Sequence, residues 1–203
     1  MNLKQTIIIT VVFGMQCMFL SDISYSGLME FMPILLTRAR SRISNRLELY
    51  ATILAQIFMG IPGSLISTYM VNVGYQKKWI IVFGFTFSGL ATFCFLVAWE
   101  YWMVFLAVCF INLFNQMGYS SLLVLITESY NVEVRSLAVG WANAWCKFGG
   151  VISPVTLGVI FEAQGNIILG VFIISVAFIA VGAVAILLKE PKNLILLENH
   201  DKN

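Results

Sequence analysis

Long apolar stretches recur along the whole chain and are separated by short polar segments. Each is about 20 residues or longer, the length that a helix needs to cross the roughly 30 Å hydrocarbon core of a bilayer. The pattern predicts an all-α membrane fold in which six transmembrane helices form one domain, residues 1–203. The predicted spans are 6–36, 49–71, 79–98, 101–127, 136–161 and 167–188, and a polar cytoplasmic tail follows at 189–203.

The composition is typical of a protein embedded in a lipid bilayer. Hydrophobic residues make up 60% of the chain and charged residues 11%, with a mean hydropathy of +0.89; soluble domains carry about a quarter charged residues. The net charge of +2, without a basic run interleaved with aromatics, excludes nucleic acid as a partner. The four cysteines lie in apolar segments at scattered spacing, which predicts buried thiols and neither disulfides nor a metal site.

Basic residues in the short loops predict the orientation, because cytoplasmic loops are enriched in Lys and Arg. A cytoplasmic N-terminus places on the inside Lys4, Lys77, Lys78, Arg135, Lys189, Lys192 and Lys202. A cluster on the opposite side conflicts with this rule: Arg38, Arg40, Arg42 and Arg46. Since two of the three outer loops lack basic residues, both termini are predicted to be cytoplasmic.

Polar residues within the spans predict which helices face protein or water, since such groups are costly in lipid. The fourth span carries four of them at i, i+3, i+4 and i+7, on one helical face: Asn112, Asn115, Gln116 and Tyr119. Asn143 and Lys147 follow in the fifth span, and Asp22 lies near the middle of the first. Spans one, four and five are therefore predicted to be interior and to line a polar cavity, and spans three and six to be peripheral.

The second span has a stripe of small side chains at helical spacing, which favours close packing of another helix. The stripe consists of Gly60, Gly63, Ser64 and Ser67. Interior helices at positions one and four, with outer helices at three and six, further suggest two related three-helix units.

The exit of the fourth span reads T-E-S-Y-N-V-E-V-R at 127–135, with Gly140 after it. This resembles the E-x-Y-P-x-x-x-R-x-x-x-x-G signature that follows the tenth helix of major facilitator transporters in the sugar porter, organic ion transporter and synaptic-vesicle-glycoprotein-like branches. Asn131 replaces the usual proline. Glu128 and Arg135 can form a cytoplasmic gate, or an exposed pair worth little.

The next stretch, 140–150, is similar to the eleventh helix of the same families, and its N-A-x-C-K run is closest to the synaptic-vesicle-glycoprotein-like branch. Organic ion transporters often carry a charged residue at the position of Lys147, where its sign is associated with ligand charge. The resemblance thus implies an anionic substrate. It also implies that the chain corresponds to helices seven to twelve, one half with a three-plus-three repeat.

The loop before the third span departs from the family pattern G-x-x-x-D-R-x-G-R-R. Only Gly74 keeps its place, and the basic pair Lys77 and Lys78 is displaced by two residues. The usual charge contact that locks the helices is therefore not expected here, and the two lysines can simply anchor the loop at anionic headgroups.

Lys147 lies near the middle of its span, where an unpartnered lysine costs roughly 2.5 to 3.5 kcal/mol. It must face a cavity or a carboxylate, and Asp22 is a candidate partner. Two alternatives stay open: a buried ion pair without a ligand, and an Asp22 that relays protons.

The predicted function is secondary transport of a small polar solute by alternating access, with the bilayer, a solute and a missing N-terminal half or second copy as partners. The alternative is a non-transporting assembly or regulatory protein that keeps the fold. A six-helix rhomboid-type protease needs G-x-S-G and an intramembrane histidine, whereas the one histidine is His200 in the tail. P-loop, H-E-x-x-H and C-x-x-C motifs are absent, so no enzyme activity, cofactor or metal is predicted. Met1 is expected to be an internal methionine of a longer protein.

Overall fold

The computed structural model describes residues 3–38, 46–98, 100–130, 132–164 and 167–188, with side chains in 12–34, 47–98, 100–130, 134–160 and 168–188. Six helices account for nearly all of these residues, and the described ranges contain no strand. The helices are α1 Leu3–Arg38, α2 Arg46–Val73, α3 Lys77–Val97, α4 Tyr101–Glu128, α5 Val132–Gln164 and α6 Ile167–Ala185. The predicted all-α, six-helix fold is confirmed.

Some of the predicted features lie outside the described residues. These are Arg40 and Arg42 of the basic cluster, the side chains of Lys4, Arg38 and Arg46, and the tail 189–203.

Four helical segments are long and apolar enough to cross a membrane by length and composition alone. They are Leu47–Val73, Lys77–Val97, Tyr101–Glu128 and Ile168–Ala185. Within the described side chains, α1 and α5 do not reach the same apolarity. These are the helices that carry Asp22 and Lys147, so the polar residues that identify them as interior also lower their hydropathy.

The helices pack as two interlocked three-helix units. The second helix of each unit lies against the first helix of the other, as α2 packs on α4 and α5 packs on α1. The third helices, α3 and α6, pack on each other, while α3 also contacts α4 and α6 contacts α1. Exchanging the units leaves this pattern unchanged, which gives the three-plus-three repeat that polarity alone suggested.

Glycines let α3 approach its neighbours more closely than other residues allow. A Cβ on Gly84 would lie 2.7 Å from the backbone nitrogen of Gly118 in α4. On the α6 side, a Cβ on Gly89 would lie 3.1 Å from the carbonyl oxygen of Ser175, whose hydroxyl donates to the Gly89 carbonyl at 2.8 Å. α3 is thus held between two helices on its glycine face, while its other face exposes Phe83, Leu90 and Phe93. Its peripheral position therefore stays a prediction.

The predicted small-residue stripe of α2 lies mostly against α4. Gly60 faces the Gln116 side chain, Gly63 faces the backbone of Leu113, and the Ser67 and Ser121 hydroxyls are 2.7 Å apart. Ser64 instead donates to the carbonyl of Ile61 in its own helix. The other faces of α2 are largely exposed, and only 22% of the residues in its 18-residue apolar stretch are buried.

Gly74 ends α2 in a left-handed conformation, with φ of 98°. The Tyr75 amide donates to the Met70 carbonyl and the Gly74 amide to the Val71 carbonyl, both at 3.1 Å. These two bonds form a Schellman motif, whose positive φ favours glycine. The one family glycine kept in this loop therefore has a backbone role.

The prediction of buried thiols agrees with the structure for Cys17, Cys109 and Cys146. It is wrong for Cys94, which is exposed.

Candidate functional site

A polar cavity of about 130 Å³ lies between α1, α4 and α5. Three side chains come from α1, three from α4 and one from α5. They are Ser21, Asp22, Tyr25, Asn115, Gln116, Tyr119 and Lys147. Because α1 belongs to the first unit and α4 and α5 belong to the second, the cavity lies where the two units meet.

Two consecutive glycines in α5 bring α1 close to the cavity. A Cβ on Gly149 would lie 2.7 Å from the Phe19 carbonyl oxygen, and one on Gly150 would lie 2.7 Å from Asp22 Oδ2. One turn further, the Ser153 hydroxyl donates to the Ile23 carbonyl at 2.5 Å. The small residues of α5 therefore fix the approach that lets Lys147 reach Asp22.

Asp22 and Lys147 form an ion pair with 3.7 Å between Oδ2 and Nζ. The two side chains differ sharply in environment, since that of Asp22 is 10% exposed and that of Lys147 is 76% exposed. Asp22 Oδ2 and Asn115 Oδ1 are buried oxygens without a hydrogen-bond donor. The pair thus combines a buried carboxylate with an exposed ammonium, which is accessible to a further partner. No three His, Cys, Asp or Glu side chains within the described ranges come together as metal ligands.

Amide side chains connect the cavity to α2. Asn112 donates to the Gln56 carbonyl at 2.5 Å and accepts a 3.5 Å hydrogen bond from the Tyr25 hydroxyl. The Gln56 amide contacts the Met29 sulfur. This network joins α1, α2 and α4 and holds the Tyr25 ring at the cavity wall.

Five of the seven residues predicted to line a cavity are brought together there: Asp22, Asn115, Gln116, Tyr119 and Lys147. Asn112 is buried against α2, and Asn143 is half-buried on α5 outside the cavity lining. Sequence reasoning missed Ser21 and Tyr25. Both were accessible to the helical-spacing argument used for α4, since they are i and i+4 on α1 and flank Asp22.

A second ion pair lies at one end of α3 and α4. Glu128 contacts Lys77, whose side chain is 9% exposed, whereas that of Glu128 is 42% exposed. The partner of Glu128 therefore differs from the predicted Arg135, which is exposed. Lys77 belongs to the displaced basic pair of the loop. The Lys77–Glu128 contact between α3 and α4 therefore differs from the expectation that this basic pair makes no charge contact between helices. Lys77 is the first residue of α3, directly after the loop, and its ammonium donates to the Glu128 carboxylate at the end of α4.

The unequal burial of this pair predicts unequal costs of breaking it. Glu128→Gln leaves the Lys77 ammonium buried without a counter-charge, and we expect it to lower the free energy of unfolding by about 2 to 3 kcal/mol. Lys77→Met leaves a carboxylate that water can reach, at a cost of about 1 kcal/mol or less. Unfolding by titration with a denaturing detergent measures both variants; equal losses would contradict the assigned geometry.

Comparisons with known proteins agree with this architecture. Residues 14–201 match the model of the Major Facilitator Superfamily. The niacin transporter NiaP of Acinetobacter baylyi is 22% identical over 173 residues, which are 82% of this chain and 37% of that protein. The putative niacin/nicotinamide transporter NiaP of Bacillus subtilis is 22% identical over 193 residues, 94% of this chain and 46% of that protein.

The chain spans less than half the length of these curated relatives. Neither relative is named as a sugar porter, an organic ion transporter or a synaptic vesicle glycoprotein, so the branch inferred from the motifs stays a prediction. The family match covers most of the chain, from Gly14 in α1 to the tail. With six packed helices in two interlocked units, the chain is a multi-pass membrane protein and belongs to the Major Facilitator Superfamily.

Proposed function

We propose that the chain is one half of a secondary transporter that moves a small anionic solute by alternating access. The observation that carries the proposal is the position of Lys147, whose ammonium borders the polar cavity and is mostly exposed although it lies deep in a helix of the bundle. A lysine at this depth must meet water, a carboxylate or a ligand. A solute carboxylate can bind it as a charge-assisted partner.

The relatives favour a more specific substrate. Both are named for niacin, the second also for nicotinamide; niacin is an aromatic carboxylate and an anion at neutral pH. The cavity combines a cation with the amides Asn115 and Gln116 and the rings of Tyr25 and Tyr119. Aromatic side chains pack against flat rings and amides donate to heteroatoms. We infer a small aromatic monocarboxylate of the nicotinate type as the solute.

A second six-helix unit completes the transport path in this proposal. The exposed apolar faces of α2 and α5 support it, because these helices occupy equivalent places in the two units and both pack on only one side. Large exposed side chains there include Tyr50, Ile57 and Ile61 on α2 and Trp141, Phe148 and Val155 on α5. The partner is an N-terminal half or a second copy of the chain, and rocking between the halves exposes the cavity to each side in turn.

The orientation follows from the charged ends of the helices. We infer that the end with Lys77, Glu128 and Arg135 faces the cytoplasm, in keeping with the bias of basic residues. The Lys77–Glu128 pair would then tie α3 to α4 on the cytoplasmic side, with the exposed Arg135 free to meet the other half during closure.

Competition between nicotinate and nicotinamide tests the anionic specificity. The two differ mainly in charge, so we expect nicotinate to compete for the site at least about tenfold better than nicotinamide, since a charge-assisted contact is worth about 1.5 to 3 kcal/mol. The measurement is displacement of labelled nicotinate from the purified native assembly that contains this chain. Equal competition by nicotinamide would contradict the role of Lys147, and absence of any binding would favour a non-transporting member of the fold.

A further inference from the structure

A long apolar groove lies between α3 and α4, separate from the polar cavity. Its volume is about 930 Å³, whereas that of the polar cavity is about 130 Å³. None of the described residues that line the groove carries a charge, an amide or a hydroxyl group. A water molecule needs polar partners to occupy such a space, so the occupant of this groove must be apolar.

The groove has a floor of small side chains between walls of large ones. Ala98 and Ala107 are buried, at 7% and 8% exposed, and form part of the floor. Leu90 and Phe93 on α3 and Leu106 on α4 are about half exposed and form the walls. An occupant therefore contacts side chains on both helices. In a bilayer, where burial of apolar surface gives little gain, such van der Waals contacts decide what stays bound.

The groove is as long as one leaflet of the bilayer is thick. Its lining on α3 extends from Phe87 to Ala98, which is about 16 Å along the helix axis. Half of the hydrocarbon core measures about 15 Å. One end lies at the α3–α4 loop beside Trp102, which is 68% exposed, as is typical of tryptophans at headgroup level. At the other end the Phe87 and Phe114 rings lie 5.4 Å apart. The groove therefore extends from the headgroups to the middle of the bilayer.

A transmembrane helix fits this groove less well than a flexible chain does. Helices approach each other closely over small residues, and the α3 glycines that allow such an approach, Gly84 and Gly89, already contact α4 and α6. A second helix would also cross both leaflets, whereas the groove covers one. The faces proposed to meet the second half belong to α2 and α5, and neither helix contributes a described residue to the groove lining.

We propose that the groove binds one acyl chain of a bilayer phospholipid, in the leaflet that contains the α3–α4 loop. The chain enters from the headgroup region near Trp102 and ends at the Phe87 and Phe114 rings. The site holds a lipid at the opposite end of α3 and α4 from the Lys77–Glu128 pair. It does not involve the solute, so this inference is independent of the proposed substrate.

Filling the groove with a side chain tests the proposal. Ala91 lines the groove, so Ala91→Trp places an indole ring where the acyl chain would lie. Ala180→Trp is the matched control, the same change at an exposed alanine of α6 outside the groove. In native mass spectrometry of the detergent-washed native assembly, Ala91→Trp should lose the retained phospholipid that the wild type and Ala180→Trp keep. Equal phospholipid retention in all three proteins overturns the proposal.

Photo-crosslinking of the wild type decides if Ala91→Trp does not fold. The probe is phosphatidylcholine with a diazirine at the end of one acyl chain, in phosphatidylcholine liposomes that contain the native assembly. Crosslinks near Phe87 and Phe114 should be about tenfold more frequent than on the exposed face of α6, as a bound chain requires. Crosslinks spread evenly over α3, α4 and α6 indicate ordinary boundary lipid and overturn the proposal. Protection of the groove by a second copy of the chain overturns it as well.

Discussion

Replacing Lys147 with glutamine should reduce nicotinate uptake by about 100-fold in kcat/KM, because among the described residues Lys147 is the one cation that borders the cavity. The change removes the proposed contact to the substrate carboxylate. It also leaves Asp22, whose side chain is 10% exposed, without the counter-charge 3.7 Å away. Initial rates of uptake across a range of nicotinate concentrations provide the measurement.

The double variant Asp22→Asn/Lys147→Gln separates these two effects. It contains no unpaired charge, so its stability should return to near that of the wild type, whereas uptake should remain low. Lys78→Gln, a neutralised lysine at the start of α3, is the control for loss of positive charge and should transport normally. If Lys147→Gln keeps wild-type uptake, the ammonium does not bind the substrate.

The largest effect on stability is expected at Gly84, where α3 meets α4. A Cβ there would lie 2.7 Å from the Gly118 nitrogen, 2.8 Å from its Cα and 2.8 Å from the Phe114 carbonyl oxygen. All three are backbone atoms, so no side chain can move aside and the two helices must separate. Gly84→Ala should cost about 3 kcal/mol, and Gly84→Leu should prevent folding.

Gly140 offers the matched control because a Cβ on it meets nothing within 4 Å. It lies within α5 on an exposed face, where alanine is favoured over glycine in a helix by about 0.5 to 1 kcal/mol. Gly140→Ala should therefore unfold at the same detergent concentration as the wild type or a higher one. Equal destabilisation at Gly84 and Gly140 would contradict the close α3–α4 packing.

The number of helices and their approximate ends could be read from the sequence because apolar runs of membrane length are a strong signal. The close contact of α3 with α4 and α6 could not be predicted, because it depends on Gly84 and Gly89, and a glycine does not reveal which helix it approaches. Apolar composition made α3 resemble a lipid-facing helix. Polar residues identify helices that line a cavity, but they do not identify helices that pack through backbone contact.

The candidate site was predictable where polar side chains repeat at helical spacing, as on α4, and less so where single residues act. Tyr25 and Ser21 were not predicted to line the cavity, because aromatic and hydroxyl residues are common in membrane helices. The partner of Glu128 was assigned by nearness in the family motif, whereas the structure pairs it with Lys77, 51 positions away. Sequence distance does not determine which helix ends meet.

Uptake of labelled nicotinate into liposomes that contain the purified native assembly is the most direct test of the central claim, that this chain forms the substrate path for a small aromatic carboxylate. Uptake should be saturable, excess unlabelled nicotinate should abolish it, and Lys147→Gln should reduce it by about 100-fold. Uptake no greater than in empty liposomes, from an assembly shown to be folded, would contradict this claim.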